Sequence, residues 1–401
     1  MNRRDLLKRS ALVLGISSSL AAQETMPIGK TAADQQRNAE LLSGYDYKKY
    51  DESLTGYTGQ DLQRIAFCRW EPAVRTRVGG RGNYKAGMTL TADGKLVLAV
   101  CNTKGYYGET DRAKRQFLIF VYESSDQGLT WQEIRKTPLF GKEPSLTTLP
   151  DGTIVMTAQK GYFGPGAKLD EIPISRSTDG GRTWETQNIP GEDYPRNLIL
   201  EPGGSLLMVR ALKPDWAGKG GGSPNLQLGR SSDSGRTWQF SEGIVDWGYA
   251  GFGEVSAIRL RNGRYLAALR RQMPRTQGEA FEDTVLTESR DGGKHWSKPW
   301  KMSANAEVHV YLTELRDGRL LATYSNYHLP WGSFAIVSKD RGKTWDLDHP
   351  IQLSLSADIY VGWPVTLRLP DDSLLTAYTA TTYYRQKPEM VTCEVVRWRL
   401  P

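Results

Sequence analysis

The stretch Ser124-Ser125-Asp126-Gln127-Gly128-Leu129-Thr130-Trp131 decides the fold of this 401-residue chain, because its pattern, S-x-D-x-G-x-T-W, recurs along the sequence. Four further copies occupy residues 177–184, 231–238, 289–296 and 338–345, and His295 replaces the threonine in one of them. Successive aspartates of the five copies lie 53, 54, 58 and 49 residues apart. This period is typical of arrays with one four-stranded sheet per unit, so the repeat predicts the blades of a β-propeller.

Each copy has the composition of a hairpin turn that is held by its own hydrogen bonds. The aspartate can accept hydrogen bonds from backbone N–H groups that follow it, and the glycine supplies the positive φ that such a turn requires. The tryptophan begins the next strand and offers a large apolar face that can pack between neighbouring sheets. The pattern therefore predicts a mechanical role for these aspartates and no catalytic one.

A second repeated unit, two strands joined by a tight turn, lies between the copies. Its six turns are at Asp93-Gly94, Asp151-Gly152, Gly203-Gly204, Asn262-Gly263, Asp317-Gly318 and Asp371-Asp372. The eight-residue pattern follows each of the first five hairpins, whereas residues 391–400 follow the sixth without it. The sequence thus predicts an all-β, six-bladed propeller. We expect an N-terminal strand to close the last blade, since an open edge is a pairing liability, and residues 65–70 are the candidate.

The eight-residue pattern resembles the Asp-box of the sialidase (neuraminidase) superfamily, and the resemblance extends from about residue 65 to the C-terminus. It implies a six-bladed β-propeller with five Asp-boxes. It also implies a glycoside hydrolase of the exo-α-sialidase kind that acts on a glycan or oligosaccharide and needs no cofactor.

The N-terminus has the features of an export signal. Arg3 and Arg4 precede an apolar stretch that ends in small residues, which resembles a bacterial twin-arginine signal over residues 1–22. An uncleaved membrane anchor is the alternative, although the apolar stretch is shorter than a membrane-spanning helix requires. Residues 23–60 are predicted to form an arm, and residues 61–401 the propeller. We therefore expect a periplasmic or secreted protein, monomeric and without membrane insertion after cleavage.

Composition argues against several other classes of protein. The formal net charge of +7 falls to +4 without residues 1–22, and the remaining cations are scattered, so no nucleic-acid partner is predicted. Cys68, Cys101 and Cys393 are too few for a disulfide framework, although Cys68 and Cys393 can meet if the terminal strands share a blade. No histidine pair has metal-ligand spacing and no calcium-loop pattern occurs, so neither a metal nor another cofactor is predicted.

The repeats also index the central channel, because equivalent positions of the innermost strands surround one end of it. Counting eight residues back from the first residue of each inner turn gives Lys85, Glu143, Pro195, Glu254, His309 and Trp363. Four of these six residues are titratable, whereas a purely structural register would be mostly small or apolar. The register therefore predicts a polar binding site at this end of the channel.

The resemblance assigns roles to some of these positions. Glu254, the turn that follows it and Arg270 are similar to a sialidase segment in which the glutamate activates a tyrosine nucleophile and the arginine holds the substrate carboxylate. Lys85 stands where the family has the first of three arginines, and it keeps the charge but loses the planar fork. Residues 326–338 contain no arginine, although the family's third arginine belongs there.

The remaining candidates complete the predicted site. Glu109 and Asp111 lie in the loop that supplies the family's acid, and Tyr360 is the candidate nucleophile. His309 has no sialidase counterpart and can act as an acid or a base near neutral pH. The residues that could take the place of the missing arginines, or otherwise bind substrate, are Arg210, which is preferred, Arg196, Arg271, Lys160, Glu143 and Trp363.

Three functions remain open. The leading hypothesis is an exported exo-glycosidase that cleaves a terminal anionic sugar, either sialic acid or a related acidic sugar. A uronate-directed glycosidase or lyase on the same fold is an alternative, since proton abstraction beside a carboxylate also needs a cation and a base. The third is a non-catalytic glycan-binding propeller, because propellers serve many functions. Convergence of Glu254, Arg270, Glu143, Lys85 and an acidic loop residue in one cleft would favour an enzyme.

Overall fold

The computed structural model describes residues 73–102, 117–135, 139–159, 171–191, 195–211, 226–241, 251–272, 282–303, 307–327, 330–356, 362–381 and 391–400. These residues form six antiparallel sheets, which are the six predicted blades. The chain first forms β1 (Val74–Val78), which belongs to the last blade.

The first three blades follow one another along the chain. Their strands are β2 (Asn83–Leu90), β3 (Leu96–Asn102), β4 (Leu118–Ser124), β5 (Gln132–Glu133), β6 (Leu139–Phe140), β7 (Lys142–Thr148), β8 (Ile154–Gln159), β9 (Glu171–Ser177), β10 (Glu185–Pro190), β11 (Ile199–Leu200), β12 (Leu206–Ala211), β13 (Leu226–Ser231) and β14 (Gln239–Phe240). Blade one comprises β2 to β5, with β6 paired to β4, blade two comprises β7 to β10, and blade three comprises β11 to β14.

The other three blades continue the same order. Their strands are β15 (Gly251–Arg259), β16 (Tyr265–Gln272), β17 (Glu282–Ser289), β18 (Trp300–Lys301), β19 (Glu307–Glu314), β20 (Leu320–Asn326), β21 (Gly332–Ser338), β22 (Ile351–Gln352), β23 (Gly362–Arg368), β24 (Leu374–Thr381) and β25 (Val391–Trp398). Blade four comprises β15 to β18, blade five β19 to β22, and blade six β23, β24, β25 and then β1.

The ring is closed by an N-terminal strand, as predicted, but the strand is not the one expected. Strand β1 pairs with β25 from Val74 opposite Arg397 to Val78 opposite Cys393. Its sequence, VRTRV, is largely exposed except at Val78. The outermost strand of a blade has one edge in solvent, so it does not need an apolar sequence. The prediction that residues 65–70 form the closing strand was therefore wrong; those residues lie outside the described part of the chain.

The five eight-residue turns share one set of hydrogen bonds. In the first, the Ser124 hydroxyl donates to Asp126 at 2.7 Å, and the backbone N–H and hydroxyl of Thr130 donate to the same carboxylate at 2.9 and 2.5 Å. These bonds from Thr130 lower the pKa of Asp126 to about 2. His295 replaces the threonine in the fourth turn and contacts Asp291 through its ring Nδ1 at 2.5 Å. The aspartates therefore hold turns closed, as the pattern predicts.

The same turns pack each blade against the preceding one. A Cβ added at Gly181, in the blade-two turn, would lie 3.3 Å from Val97 of blade one. A Cβ at Gly293, in the blade-four turn, would lie 2.8 Å from Leu228 of blade three. Trp184 contacts an apolar cluster that contains residues of both blade one and blade two. The motif thus places small and aromatic residues where two sheets meet.

The described residues contain no apolar helix long enough to cross a membrane. Within those residues, no three His, Cys, Asp or Glu side chains are gathered where they could bind a metal ion. Cys101 and Cys393 are buried and free, and Cys68 lies outside the described part of the chain, as do the predicted signal and arm.

Candidate functional site

Five of the six innermost strands contain the same backbone irregularity near their start. The residue there has φ between 47° and 57°, although none of the five is glycine; they are Lys85, Glu143, Glu254, His309 and Trp363. The strand pairing slips by one residue at each of these positions, as in a β-bulge. The exception is blade three, where proline occupies position 195 and its ring keeps φ negative.

The count of eight residues from each turn therefore found five structurally equivalent positions. A positive φ costs a side-chain-bearing residue of the order of 1 kcal/mol or more, and such strain is typical of binding sites and active sites. The five side chains contact one another across blade boundaries, which brings them together at one end of the channel.

Glu143 of blade two lies between two lysines. Its Oε1 pairs with Lys85 of blade one and, at 2.9 Å, with the neighbouring Lys142. Burial alone would raise the pKa of Glu143, but the two ammonium groups lower it. Burial lowers the pKa of Lys85 to about 8, because the ion pair with Glu143 only partly offsets the loss of water. Lys85 therefore loses its charge at mildly alkaline pH.

Glu254 of blade four lies between an arginine and a histidine. Arg270 donates to Oε1 at 3.0 Å, and the Nε2 of His309 lies 3.0 Å from Oε2. Burial would raise the pKa of Glu254, but His309, Arg270 and Lys85 together lower it well below its ordinary value. Burial lowers the pKa of His309 to about 4. At neutral pH the pair is therefore a carboxylate beside a neutral imidazole.

The surroundings of His309 indicate which ring nitrogen carries the proton. Its Nδ1 lies 3.0 Å from the Ser325 hydroxyl and 3.3 Å from the Tyr327 hydroxyl. The Ser325 hydroxyl oxygen accepts a hydrogen bond from the backbone N–H of Trp363 at 2.8 Å, so the hydroxyl proton can point at Nδ1. Because the Glu254 carboxylate can only accept, we assign the ring proton to Nε2. The ring N–H then lies beside the Glu254 carboxylate at 3.0 Å, although its direction does not meet the geometry of a hydrogen bond to Oε2.

Trp363 of blade six covers this cluster with its indole ring. The ring stacks on His309 at a centroid distance of 4.6 Å, and the Lys85 ammonium lies 4.0 Å from the Trp363 ring centre. This cation–π contact stabilises the charged form of Lys85 without a second carboxylate. Position 362 has to be glycine, because a Cβ there would lie 2.0 Å from the Ser325 hydroxyl and φ is +89°.

The Arg196 side chain extends into the cluster, but its guanidinium is already hydrogen-bonded to backbone carbonyls. Its guanidinium donates to the carbonyls of His309 and Pro364 at 2.7 Å each, and so ties blade three to blades five and six. Lys85, Glu143, Arg196 and Trp363 line a cleft of about 20 Å³, which is room for about one water molecule. Arg196 therefore adds charge at the site while it acts as a tie between blades.

The structure does not bring the preferred substitute, Arg210, to this cluster. Counting eight residues on from the first residue of the inner turn gives Arg270 in blade four but Ala211 in blade three, so Arg210 faces the other side of its strand. Its guanidinium bonds Gln227 and, at 2.7 Å, the Pro190 carbonyl, and it lies 4.3 Å from the Phe240 ring. Arg210 thus belongs to the contact between blades two and three.

The other candidates are distributed as follows. Arg271 points away from the cluster and pairs with the buried Asp283, at 2.8 Å between Nε and Oδ1. The positions that lie outside the described residues are Glu109, Asp111, Tyr360 and Lys160. Their predicted roles as acid, nucleophile and cation stay predictions.

The sequence reasoning missed three residues of the site. Lys142 immediately precedes the register position Glu143, and this adjacency could have identified it as a residue of the site. Ser325 lies on β20, the strand paired to that of His309, and Tyr327 directly follows the end of β20; only knowledge of the bulge would have placed them beside the imidazole.

Comparisons with known proteins agree with this architecture. Residues 195–353 match the BNR repeat-like domain family. The chain is 22% identical over 301 residues to a sialidase of Paraclostridium sordellii, which covers 65% of this chain and 69% of the relative. It is 23% identical over 266 residues to a sialidase of Bacteroides fragilis, which covers 58% of this chain and 47% of the relative. The chain thus spans about half the length of the second relative.

Solved structures show the same fold. A protein of unknown function from Dyadobacter fermentans superposes with a TM-score of 0.65 at 21% identity, covering 82% of this chain and 99% of that one. The α-L-arabinofuranosidase of Fusarium graminearum gives 0.59 at 16% identity, covering 82% and 98%. The NanB sialidase of Streptococcus pneumoniae gives 0.56 at 14% identity, covering 86% and 72%.

Proposed function

Because the chain is a propeller of the sialidase and BNR-repeat superfamily, we propose that it is an exo-acting glycosidase that removes a terminal anionic sugar from a glycan. The observation that carries the proposal is the charged cluster at the end of the channel. Glu254, Arg270, Glu143 and Lys85, four of the five residues whose convergence would favour an enzyme, belong to this cluster. The fifth, Glu109 or Asp111, lies outside the described residues.

The charge balance of the cluster favours an anionic substrate. Among the described residues of the cluster, four cations face two carboxylates, which leaves an excess of two positive charges at neutral pH; the six groups are Lys85, Lys142, Arg196, Arg270, Glu143 and Glu254. In a partly water-excluded site, uncompensated cations attract a carboxylate more strongly than they would in bulk water. Arg270 can offer a planar fork to such a group, whereas Lys85 offers a single point charge.

Glu254 is suited to the centre of a glycosidase. Its lowered pKa keeps it ionised at all working pH values, so it can stabilise the positive charge of an oxocarbenium-like transition state. A carboxylate can also orient a nucleophilic hydroxyl, and we assign that hydroxyl to Tyr360, which lies two residues before the glycine that opens β23. Glu109 or Asp111 would then protonate the leaving oxygen.

A uronate-directed glycosidase or lyase is the second candidate, and Lys85 is the observation that favours it. A lysine whose pKa is lowered to about 8 can hold a carboxylate and also exchange a proton near neutral pH. A strict sialic-acid clamp would use a guanidinium at this position instead.

Parallel release assays test the proposal. The purified protein is incubated with fluorogenic sialosides and uronides, together with the variants Glu254→Gln and Arg270→Ala, and elimination is followed separately by the absorbance of unsaturated uronate. We expect release from at least one anionic glycoside, a fall in kcat of about 10²-fold or more for Glu254→Gln, and loss of activity for Arg270→Ala. Glu185→Gln, at an 86% exposed glutamate, is the matched control.

Each outcome decides between the candidates. Release of sialic acid supports the leading proposal. Turnover of uronides alone supports the second candidate, a uronate-directed glycosidase or lyase. Binding of both sugars without turnover would overturn the enzyme assignment in favour of a glycan-binding propeller. Full activity of Glu254→Gln would contradict its assigned role.

A further inference from the structure

A second cleft lies at the opposite end of the propeller from Glu254. It has a volume of about 580 Å³ and is formed by the inner turn of blade four and the eight-residue turns of blades four and five. Glu254 and Asn262 are eight positions apart, and the five steps that run along extended β15 alone correspond to roughly 17 Å. A single sugar therefore cannot occupy both sites.

The lining of this cleft is strongly basic. Its eight residues are Asn262, Gly263, Arg264, Arg290, Lys339, Asp340, Arg341 and Lys343, so five of them are cations and one is an anion. The Asp340 carboxylate is already engaged by hydrogen bonds from Ser338 and Thr344 within its own turn. The cleft is thus a concave surface with an excess of positive charge.

The cations of the cleft are only partly neutralised by protein groups. Arg264 and Arg290 share Glu288, at 2.9 Å for Arg290. Lys339 and Lys343 have no ion-pair partner among the described residues, and both are exposed. Arg264 is buried, and its guanidinium already donates to Glu288 and to the Arg341 carbonyl. The charges that are most open to a ligand are therefore those of the two exposed lysines.

The fold does not require these cations. The turn of blade three makes the same serine and aspartate hydrogen bonds as that of blade five, with Ser232 and Ser234 at the positions of Lys339 and Arg341. The inner turn of blade three likewise has Ser205 where blade four has Arg264. The position of Lys343 is also basic in the turns of blades two, three and four, so the cations that distinguish this junction from blade three are Lys339, Arg341 and Arg264. Because the backbone forms equally well with small neutral residues at these three positions, the fold alone does not account for them.

We propose that this cleft binds a segment of an anionic polysaccharide, through its sulfate or carboxylate groups, and so anchors the protein on an anionic polymer. Arginine and lysine bind such oxygens by charge-assisted hydrogen bonds, and the volume lies within the usual range for small-ligand sites. The inference does not depend on the chemistry at Glu254. Because this cleft and the Glu254 cluster lie at opposite ends of the propeller, a polysaccharide bound in the cleft does not block the ends of glycan chains from reaching Glu254.

The lining distinguishes this ligand from other polyanions. Single-stranded nucleic acids are usually held by aromatic side chains that stack on bases, and none of the eight lining residues is aromatic or aliphatic. The lack of aliphatic lining residues likewise disfavours a lipid tail. A hydrophilic chain that carries spaced anionic groups fits the charge of the cleft and the polar or charged character of its side chains.

Binding to immobilised heparin and to polygalacturonate, with dextran as the neutral chain, tests the proposal. The variant Lys339→Gln/Lys343→Gln removes two exposed charges, and its matched control, Arg182→Gln/Arg236→Gln, removes two charges from the equivalent turns of blades two and three. We expect about tenfold weaker binding for the first variant, and wild-type affinity for the control. Activity on a small soluble glycoside should be the same for all three proteins.

The outcomes separate this inference from the proposed function. Equal affinity of the two variants, or no binding of the wild-type protein to either charged chain, would overturn the anchor. Preference for sulfated over carboxylated chains, or the reverse, identifies the anionic group. Tighter binding of duplex DNA than of both polysaccharides at equal ionic strength would replace the glycan by nucleic acid. The binding result stands whether or not the protein hydrolyses any glycoside.

Discussion

The buried imidazole of His309 predicts a specific loss of stability in mild acid. The side chain is fully buried, and burial lowers its pKa from the ordinary value of 6.5 to about 4. Between these two values the unfolded chain binds a proton at this position and the folded protein does not. The free energy of unfolding therefore falls as the pH is lowered through this window.

The size of the effect follows from the two pKa values. Their separation corresponds to about 3 kcal/mol, which is fully lost once the pH is below about 4. Glu254 acts in the same direction, because its pKa is lowered, but its contribution is lost below its ordinary pKa of 4.5. Arg196 and Arg270 keep their charges throughout and oppose protonation of the ring. The upper part of the window therefore reports mainly on His309.

Urea unfolding of the wild-type protein and of His309→Gln, at pH values from about 4 to about 7.5, measures the effect. Glutamine can still donate to Glu254 and accept from Ser325, but it does not titrate. The stability advantage of the wild-type protein over this variant should grow by about 3 kcal/mol as the pH rises from about 4 to about 6.5.

His349→Gln, which removes a 60% exposed imidazole, is the matched control. A difference between wild type and His309→Gln that stays flat across this range, or that shrinks as the pH rises, would refute the assignment of a neutral buried imidazole. A pH-dependent difference of the same size in the control would assign the effect to surface titration.

Three further perturbations have defined outcomes. The KM for an anionic substrate should rise as the pH passes about 8, where Lys85 loses its charge, and Lys85→Arg should abolish that rise in a pH profile. Gly362→Ala should lower the melting temperature by several degrees more than Gly94→Ala, since both glycines have positive φ but only position 362 has Ser325 within 4 Å of an added Cβ. Arg196→Met should reduce the free energy of unfolding in urea by about 2 kcal/mol or more, because two buried backbone carbonyls lose their donors.

Much of the architecture could be predicted because it depends on short sequence repeats that each form a local hairpin or turn. The number of blades follows from six inner hairpins, and each turn is held by bonds between residues at most four positions apart, such as those of Asp126 with Ser124 and Thr130. The closing strand could not be chosen in this way. Strand β1 is a half-exposed outer strand, so its sequence carries no strong periodic signal and only pairing with β25 identifies it.

The candidate site was only partly predictable for a related reason. The register count reached Lys85, Glu143, Glu254 and His309 because each lies a constant distance from a turn. It could not show that Arg210 faces a blade interface, since a shift of one residue along a strand reverses the direction of the side chain.

The sequence by itself therefore determined the kind of sheet, the number of blades and the positions that surround the channel, because these depend on hydrogen bonds and alternation within a few residues. Only the tertiary structure decided which charges meet. Lys85 and Glu143 come from different blades, as do Glu254 and His309, and ring closure brings each pair together. Ion pairing and burial, which set the pKa values of these groups, act through space and leave no periodic trace in the chain.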